Sequence, residues 1–433
     1  MKPSRWLARH VLMDLTPLRR SRDYRALVGG LGVSTLGNQL TQVAVPWQVY
    51  TLSHSTLFVG LASLAQLIPL IIGSLLGGSL VDSRDRRALL LTVETLGALL
   101  SACLAVNSDL GPALWPLFVF PAAQAATSGI DSASRNAMVP SLVGMDLVPS
   151  ANAIFQSLNQ LGTVAGPAAG GVLLAGAGVK AVYWVDVASF AVALVSVFTM
   201  SPQPPTGSGT TRPGWRSMLE GFRFVGRSQE LQGAYIIDVN AMVFGMPRAL
   251  FPALATSVFG GGATAFGLLQ AAPGAGALIG AVTTGWVGRV RRQGLAVIAA
   301  VIAWGIAITL FGLVRWLPLA LVLLAVAGWA DVISAVFRNT ILQVSAPDKM
   351  RGRLMGVHMA VVAGGPRLGD LESGAVADAF GNTASVVSGG LACVAGALLI
   401  AKALPGFRHH QSPALASSAD RAGDAEPESD SVG

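Results

Sequence analysis

The sequence is poor in charged residues, and this limits the kind of protein it can encode. Asp, Glu, Lys and Arg make up only 12% of its 433 residues, whereas 52% are hydrophobic and the mean hydropathy is +0.60. So few polar side chains cannot coat a soluble globule of this length. A soluble protein is therefore excluded, and the composition indicates an integral membrane protein.

Other absences narrow the function. The only two cysteines, Cys103 and Cys393, lie in apolar runs, which favours small packing residues over a disulfide. The N-terminal residues contain no uninterrupted apolar run, so no cleavable signal peptide is predicted. No loop contains a phosphate-binding glycine motif, a zinc-ligand spacing or a nucleophile constellation. The sequence therefore predicts no ATP-driven pump, no enzyme, no cofactor and no metal site.

Long apolar runs are what the sequence does contain. Runs of roughly 18 to 25 apolar residues, each long enough to cross a hydrocarbon core ~30 Å thick, recur along the chain. Their glycine content favours helices packed on helices over the alternating strands of a β-barrel. The sequence thus predicts an all-α integral membrane protein with twelve transmembrane helices. The predicted spans, numbered 1 to 12, are 25–50, 57–80, 88–106, 112–138, 150–175, 180–200, 233–256, 264–287, 294–314, 316–340, 353–378 and 383–404.

Basic residues alternate from loop to loop. Because excess positive charge marks cytoplasmic loops, both termini and the loop between spans 6 and 7 are predicted to be cytoplasmic. The opposite loops offer only Lys180 and Arg315. The net charge of +7 requires no nucleic-acid partner, because these arginines face the anionic headgroups of the lipid bilayer. The basic clusters are Arg19, Arg20, Arg22 and Arg25; Arg84, Arg86 and Arg87; Arg212, Arg216, Arg223 and Arg227; Arg289, Arg291 and Arg292; Lys349, Arg351 and Arg353; and Lys402 and Arg408.

A polar segment divides the spans into six and six. Residues 200–215, "MSPQPPTGSGTTRPGW", are rich in Pro, Gly, Ser and Thr and are predicted to form a linker. A weak internal repeat supports this division, since "SRNAMVPSL" from Ser134 matches "FRNTILQVSAP" from Phe337. Two pseudo-symmetric six-helix halves are typical of a rocking transporter with its site between them. The predicted regions are an N-terminal segment 1–24, halves 25–200 and 233–404, a linker 201–232 and a disordered acidic tail 405–433.

The N-terminal segment leaves two interpretations open. Trp6, Leu7, Val11 and Leu12, with arginines opposite, fit a short amphipathic helix on the membrane surface, but a solvated tail fits as well.

Two motifs stand out within the spans. After span 2, Gly78, Asp82, Arg86 and Arg87 occupy a tight loop, where Asp82 can cap or bridge to a helix end and the arginines can bind carbonyl ends or headgroups. These charges would form a latch between helices; the alternative is an ordinary basic loop.

In span 5, the i, i+4, i+8 spacing of three glycines is predicted to form a groove for a neighbouring helix, and the proline is predicted to bend the helix there. The alternative is a tight contact between helices without a role in transport. The residues of this span-5 motif are Gly162, Gly166, Pro167, Gly170 and Gly171.

These patterns resemble the major facilitator superfamily. The spacing G-x-x-x-D-x-x-x-R-R is similar to its loop between helices 2 and 3, although Ser83 and Asp85 depart from the usual Arg and Gly. G-x-x-x-G-P-x-x-G-G in span 5 resembles the signature of the antiporter branch, which implies a bend that controls closure of one side of the cavity. "VAVPWQVYTLSHSTLFVGL", "PSLVGMDLVPSANA" and "GPRLGDLESGAVA" look like the subgroup holding the enterobactin exporter and macrolide efflux proteins. This resemblance covers essentially all twelve spans.

Charged side chains within the spans are costly and usually face a cavity or a partner. Asp131 with Arg135, and Arg367 with Asp370, can pair within one helix, so a structural salt bridge is expected for each. Glu94 and Asp238 have no such local partner and are the preferred proton-coupling candidates, followed by Asp131 and Asp370, with a packing role as the alternative. The remaining intramembrane charges are Asp186, Arg248, Asp331, Arg338 and Glu372.

Span 1 contains polar residues that can face a cavity. Asn38 and Gln42 lie one turn apart, with Trp47 close by, and together with Arg367 they are the predicted substrate-cavity residues; polar contacts between helices are the alternative. Members of the superfamily often have a carboxylate near the position of Asn38, so its absence argues against proton coupling through span 1.

The sequence therefore predicts a monomeric secondary exporter in a bacterial inner membrane. It would move a small amphipathic molecule, such as a siderophore or a macrolide-like drug, by alternating access in exchange for protons. The alternatives are a nutrient importer of the same superfamily and a membrane receptor or assembly factor without transport activity.

Overall fold

The computed structural model describes residues 14–204, 215–345, 347 and 350–411. The predicted surface helix, the centre of the linker and most of the acidic tail lie outside the described residues.

The helices of spans 1 to 12 are, in order, Arg22–Ser53; Thr56–Ala65 with Leu67–Ser83; Arg86–Leu110; Pro116–Val143; Val148–Phe198, which holds spans 5 and 6; Gln229–Phe244 with Phe251–Ser257; Gly262–Thr283; Gln293–Leu313; Leu317–Ser345; Arg351–Phe380; and Asn382–Ala403. Three short helices, Thr16–Arg20, Trp215–Val225 and Pro405–Arg408, flank these spans.

The predicted all-α membrane fold is confirmed. Seven helices within the described part of the chain are long and apolar enough, by length and composition, to cross a membrane. One of them, Met145–Phe198, has 54 residues, enough for two crossings. The spans outside this set, 1, 4, 7 and 11, contribute most of the polar side chains of the cavity described below.

Backbone breaks fall at glycines and prolines, but not at every one of them. Gly178 divides spans 5 and 6 with φ 78° and ψ 175°, a conformation that glycine adopts at little cost. The helix continues through Pro167, where the sequence predicted a bend. Span 7 is interrupted between Phe244 and Phe251 by Gly245, Pro247 and a short 3₁₀ turn.

The helices pack in two sets that repeat the same pattern. In the N-terminal half, span 1 packs on span 5, span 2 on span 4, and span 3 on span 6. In the C-terminal half, the equivalent pairs are 7 on 11, 8 on 10, and 9 on 12. Glycines allow the close pairs, since a Cβ on Gly73 would meet the backbone of Ala126 and one on Gly276 would meet that of Ala325. The fold therefore consists of two pseudo-symmetric six-helix halves.

The halves contact each other through span 2 on span 11 and span 5 on span 8. Gly60 of span 2 lies against the backbone of Asp370, and the Thr56 hydroxyl donates a hydrogen bond to the Gly374 carbonyl oxygen at 3.1 Å. Gly171 and Gly267 approach so closely that a Cβ on either would clash with the Cα of the other. These contacts close the end of the molecule opposite the arginine-rich loops.

Candidate substrate cavity and buried charges

A cavity of about 520 Å³ lies between the two halves. This volume falls in the range of small-molecule binding sites. Its two walls differ in chemistry, because the N-terminal half contributes neutral amides and hydroxyls whereas all the charged lining side chains come from the C-terminal half. The amides of the N-terminal wall are Asn38, Gln39, Gln42, Gln66, Gln124 and Gln160, and the charges of the C-terminal wall are Arg248, Asp331, Arg367 and Asp370.

Three of the four predicted cavity residues, Asn38, Gln42 and Arg367, line this space. The prediction for Trp47 was wrong. Its ring stacks on Phe266 of span 8 with 5.5 Å between centroids, and it is not among the lining residues. Trp47 lies more than two turns beyond Asn38, towards the closed end, where the halves are already in contact.

The interruption of span 7 forms part of the cavity wall and was missed from the sequence. Gly245, Met246, Pro247 and Arg248 all line the cavity. The indole nitrogen of Trp304 donates a hydrogen bond to the Gly245 carbonyl oxygen at 2.9 Å, which satisfies a backbone group freed by the break. A glycine two residues before a proline was the signal that could have revealed it.

Asp370 joins both halves at the closed end of the cavity. Its Oδ2 accepts a hydrogen bond from the Ser63 hydroxyl of span 2 at 2.6 Å, and its Oδ1 lies 3.9 Å from Arg248 Nε. The predicted Arg367–Asp370 salt bridge was wrong. The Arg367 guanidinium instead donates to the carbonyl oxygen of Ala363, one turn earlier, at 2.8 Å, which leaves Asp370 to the side chains of other helices.

A charged triad lies inside the N-terminal half. Arg135 Nε donates a hydrogen bond to Asp131 Oδ1 at 2.7 Å, which confirms the predicted salt bridge within span 4. The same guanidinium lies 3.5 Å from Glu94 of span 3, so Glu94, which has no partner within its own helix, is paired with a neighbouring helix. Its partner comes from another helix, which residue spacing does not reveal. Glu94 Oε2 nevertheless has no hydrogen-bond partner within the described residues, although only 2% of the side chain is exposed.

A second triad lies in the C-terminal half. Asp238 of span 7, which also has no partner within its own helix, contacts Arg338 of span 10 at 2.7 Å, and Arg338 lies 3.8 Å from Asp331. Arg135 and Arg338 occupy the matching positions of the sequence repeat, and each has one carboxylate partner in its own span. The other partner comes from span 3 in one half and from span 7 in the other, which are not equivalent. The triads also differ in access, since Asp331 lines the cavity and is 31% exposed.

The glycines of the span-5 motif face two neighbours. Gly162, Gly166 and Gly170 face span 1, and a Cβ on Gly166 would lie 2.5 Å from Gln39 Cβ. The predicted groove therefore exists, and span 1 fills it. Gly171 instead faces Gly267 of the other half, while Pro167 lines the cavity. One motif thus contacts span 1, the cavity and the opposite half.

The two arginines of the predicted latch both donate hydrogen bonds to helix carbonyl oxygens, Arg87 at the end of span 6 and Arg86 within span 4. Arg86 Nη1 donates to the Ala137 carbonyl oxygen of span 4 at 3.1 Å, and Arg87 Nη2 donates to the Phe198 carbonyl oxygen of span 6 at 2.6 Å. Cations are favourable at the carbonyl ends of helices. Both contacts stay within the N-terminal half.

The helix cap predicted for Asp82 is made by Asp85. Asp85 immediately precedes the helix of span 3, and its Oδ1 accepts from the Ala88 amide at 2.9 Å. Asp82 lies in the last turn of span 2, four residues after the half-buried Gly78. It is exposed and forms no salt bridge with any residue that the structure describes.

Comparison with known proteins gives the same fold and a family. A family model described as "transmembrane secretion effector", of the major facilitator superfamily, matches residues 13–425. The chain is 29% identical to the enterobactin exporter of Escherichia coli strain K12 over 411 residues, which cover 94% of this chain and 98% of that protein. It is also 29% identical to the enterobactin exporter of Citrobacter koseri over 403 residues, 93% of this chain and 96% of that protein.

Solved transporter structures share the architecture at low identity. The nucleoside transporter NupG superposes with a TM-score of 0.71 at 15% identity and covers 88% of this chain and 98% of its own. The peptide transporter POT gives 0.71 at 12% identity and covers 90% and 96%. At these identities the likeness concerns the fold alone.

Proposed function

Because this chain belongs to the transmembrane secretion effector family of the major facilitator superfamily, we propose that it exports a small amphipathic molecule by alternating access. A siderophore such as enterobactin is the leading substrate, since enterobactin exporters match the chain almost from end to end. A macrolide-like drug is the second substrate class. The chain is a multi-pass membrane transporter and not an enzyme.

The observation that carries this proposal is the cavity between two halves whose close contacts, among the residues that the structure describes, join Gly60 and Thr56 to span 11 and Gly171 to Gly267 at the end opposite the arginine-rich loops. By the excess of arginine in alternate loops, we propose that both termini are cytoplasmic and that the membrane is a bacterial inner membrane. The closed end then faces away from the cytoplasm. A molecule made inside the cell would enter the cavity before the halves rock.

Proton antiport is the proposed driving reaction. In each triad two carboxylates share one arginine, so each triad carries one excess negative charge when all its groups are ionised. An uncompensated charge inside a membrane protein is costly, and one proton would remove it. Glu94 is the preferred carrier because its Oε2 has no hydrogen-bond partner within the described residues. Asp238, Asp131 and Asp370 stay as further candidates.

The test is transport by the purified protein in lipid vesicles, with enterobactin as the probe. In the inside-out orientation, we expect enterobactin uptake that accelerates when the vesicle interior is acidified, because protons then leave as the substrate enters. The absence of enterobactin and macrolide flux would contradict export of these classes. A transport rate that does not change with an imposed pH gradient would contradict proton antiport but not export.

A further inference from the structure

Asp186 of span 6 is a carboxylate held by neutral side chains inside the N-terminal half. Its exposed fraction is 0%. Its Oδ2 accepts hydrogen bonds from the Thr41 hydroxyl at 2.7 Å and from the Ser101 hydroxyl at 2.6 Å. Gly37 of span 1 makes room for the carboxyl group, because a Cβ at that position would lie 2.6 Å from Asp186 Oδ1. Spans 1, 3 and 6 therefore form a site shaped around this group.

The hydrogen bonds distinguish the two carboxyl oxygens. Both short donors point at Oδ2, as they would at the carbonyl oxygen of a protonated acid. Oδ1 lies 3.4 Å from the Ser189 hydroxyl oxygen, whose own hydrogen is donated to the Asp186 backbone carbonyl at 2.7 Å. The Ser189 oxygen can therefore accept a hydrogen bond from a proton on Asp186 Oδ1.

No arginine, lysine or histidine of the described residues forms a salt bridge with Asp186. The titratable groups that face it are Glu94 of span 3 and Tyr183 on its own helix. Spans 1 and 4 present the neutral side chains of Thr41 and Gln124 to it. An ionised Asp186 would therefore add negative charge beside Glu94 without a compensating cation, which is costly in a membrane interior.

Two of its neighbours connect Asp186 to the cavity. Thr41 and Gln124 both line the cavity, and the Gln124 amide donates to the Ser101 hydroxyl at 3.4 Å. Asp186 itself is not a lining residue and lies one side chain behind the wall. Thr41, which lines the cavity and donates to Asp186 Oδ2, is therefore the side chain past which a proton would reach the carboxyl group.

From this arrangement we propose that Asp186 is a proton-binding site of the N-terminal half. In the binding step, a hydronium ion of the cavity gives its proton to Asp186 Oδ1, where an O–H bond forms and water is released. When the proton leaves, the charged carboxylate binds the Thr41 and Ser101 hydroxyls more strongly, so the packing of span 6 on spans 1 and 3 depends on the proton. This inference deepens the proposed proton antiport, and its role in transport rests on that proposal.

Proton binding can be measured without a substrate. We would record infrared difference spectra of the full-length protein in lipid while the pH is stepped, and follow the carbonyl stretch of protonated carboxyl groups. The wild type should show a component that shifts in heavy water and that is lost in Asp186→Asn. Thr41→Val should keep this component but slow its exchange in heavy water. The control is Glu372→Gln, which alters a half-buried carboxylate of span 11 and should leave the Asp186 component unchanged.

A second variant keeps the Asp186 carboxyl group, so the test does not depend on whether Asp186→Asn folds. Ser101→Ala removes one donor to Oδ2 and should shift the Asp186 stretch to higher frequency. A pH-difference spectrum of Asp186→Asn identical to the wild type, or no shift in Ser101→Ala, would overturn the inference. Transport separates the two claims, because proton-driven flux can fail in wild-type protein that still shows the Asp186 component. In that case proton antiport is rejected, whereas proton binding by Asp186 is supported.

Discussion

Spans 5 and 11 are built on the same frame but differ in charge. Span 5 has the sequence GPAAGG from Gly166, and span 11 has GPRLGD from Gly365. Gly166 packs on span 1 and Gly365 on span 7, which are equivalent helices of the two halves. Arg367 and Asp370 of span 11 thus stand where span 5 has Ala168 and Gly171. The shared glycine and proline allow close helix packing in both halves. Only in span 11 do two of the other positions, Arg367 and Asp370, bring charge to the cavity.

The cavity has its charged side chains in the C-terminal half, whereas the excess of buried carboxylates lies in the N-terminal half. Inside the N-terminal half, the three carboxylates Glu94, Asp131 and Asp186 lie near one arginine, Arg135, while the buried Arg86 donates to the Ala137 carbonyl oxygen. Among the triad and cavity residues of the C-terminal half, three carboxylates face three arginines, Arg248, Arg338 and Arg367. The carboxylates inside the N-terminal half therefore outnumber the arginine beside them, whereas the C-terminal half presents both arginines and carboxylates to the cavity. This difference suggests proton binding in the first half and substrate recognition in the second.

The largest effect is expected from removing the triad arginines. Arg135→Gln leaves Glu94, Asp131 and Asp186 without a cation, and breaking a buried ion pair in this way costs about 3–5 kcal/mol. Arg338→Gln should cost less, because Asp331 reaches the cavity and can be hydrated. Thermal unfolding in detergent would measure both. The double variant Glu94→Gln, Arg135→Gln should recover part of the loss, and equal destabilisation by the two single variants would contradict the proposed difference.

A smaller effect is expected on substrate binding. Arg367→Gln removes a cation from the cavity wall, and hydrogen bonds to charged groups contribute about 1.5–3 kcal/mol, so enterobactin affinity should fall roughly ten- to a hundredfold. Gln42→Ala on the neutral wall should lower it only a few-fold. Calorimetric titration would compare the two dissociation constants. Should Gln42→Ala cost more than Arg367→Gln, the charged wall is not the main recognition surface.

The matched glycines of spans 5 and 11 test the shared frame. A Cβ on Gly166 meets Gln39 Cβ at 2.5 Å, whereas one on Gly365 meets Met242 Sδ at 2.8 Å and Met242 Cβ at 3.0 Å. Overpacking costs about 1–3 kcal/mol and alanine regains about 1 kcal/mol of helix propensity. Gly166→Ala should therefore destabilise the protein and reduce export, and Gly365→Ala should do so less, because the longer contacts with Met242 need a smaller shift. The reverse order in thermal unfolding and vesicle efflux would contradict the contacts described for span 5.

The smallest effect on stability is expected at Asp82. Because Asp82 is exposed and forms no salt bridge with the residues that the structure describes, Asp82→Asn should leave thermal unfolding unchanged. If Asp82 acts as a latch in another conformation, the same variant should slow export several-fold. Arg87→Ala is the matched variant, and it should destabilise, since Arg87 binds the carbonyl end of span 6. Normal export by Asp82→Asn would reject the latch.

The sequence predicted the parts of this fold that depend on local pattern. Apolar length gave the twelve spans, and the four-residue spacing of Asp131 and Arg135 gave their salt bridge. Contacts between helices were the ones it missed. Nothing in the spacing of Glu94 or Asp238 identifies an arginine one or three helices away, and the hydroxyl cluster around Asp186 comes from spans 1, 3 and 6.

The most direct test of the central claim compares Glu94→Gln with Asp238→Asn in proton-driven enterobactin transport. Both variants would be reconstituted in the same vesicles, with substrate and internal pH recorded together. Glu94→Gln should abolish the response to an imposed pH gradient while exchange of enterobactin across the membrane continues, because the proton site is removed from the half whose buried carboxylates outnumber the arginine beside them. Asp238→Asn should keep most of that response. If Asp238→Asn loses the response to the gradient while Glu94→Gln keeps it, the assignment of proton binding to the N-terminal half is contradicted.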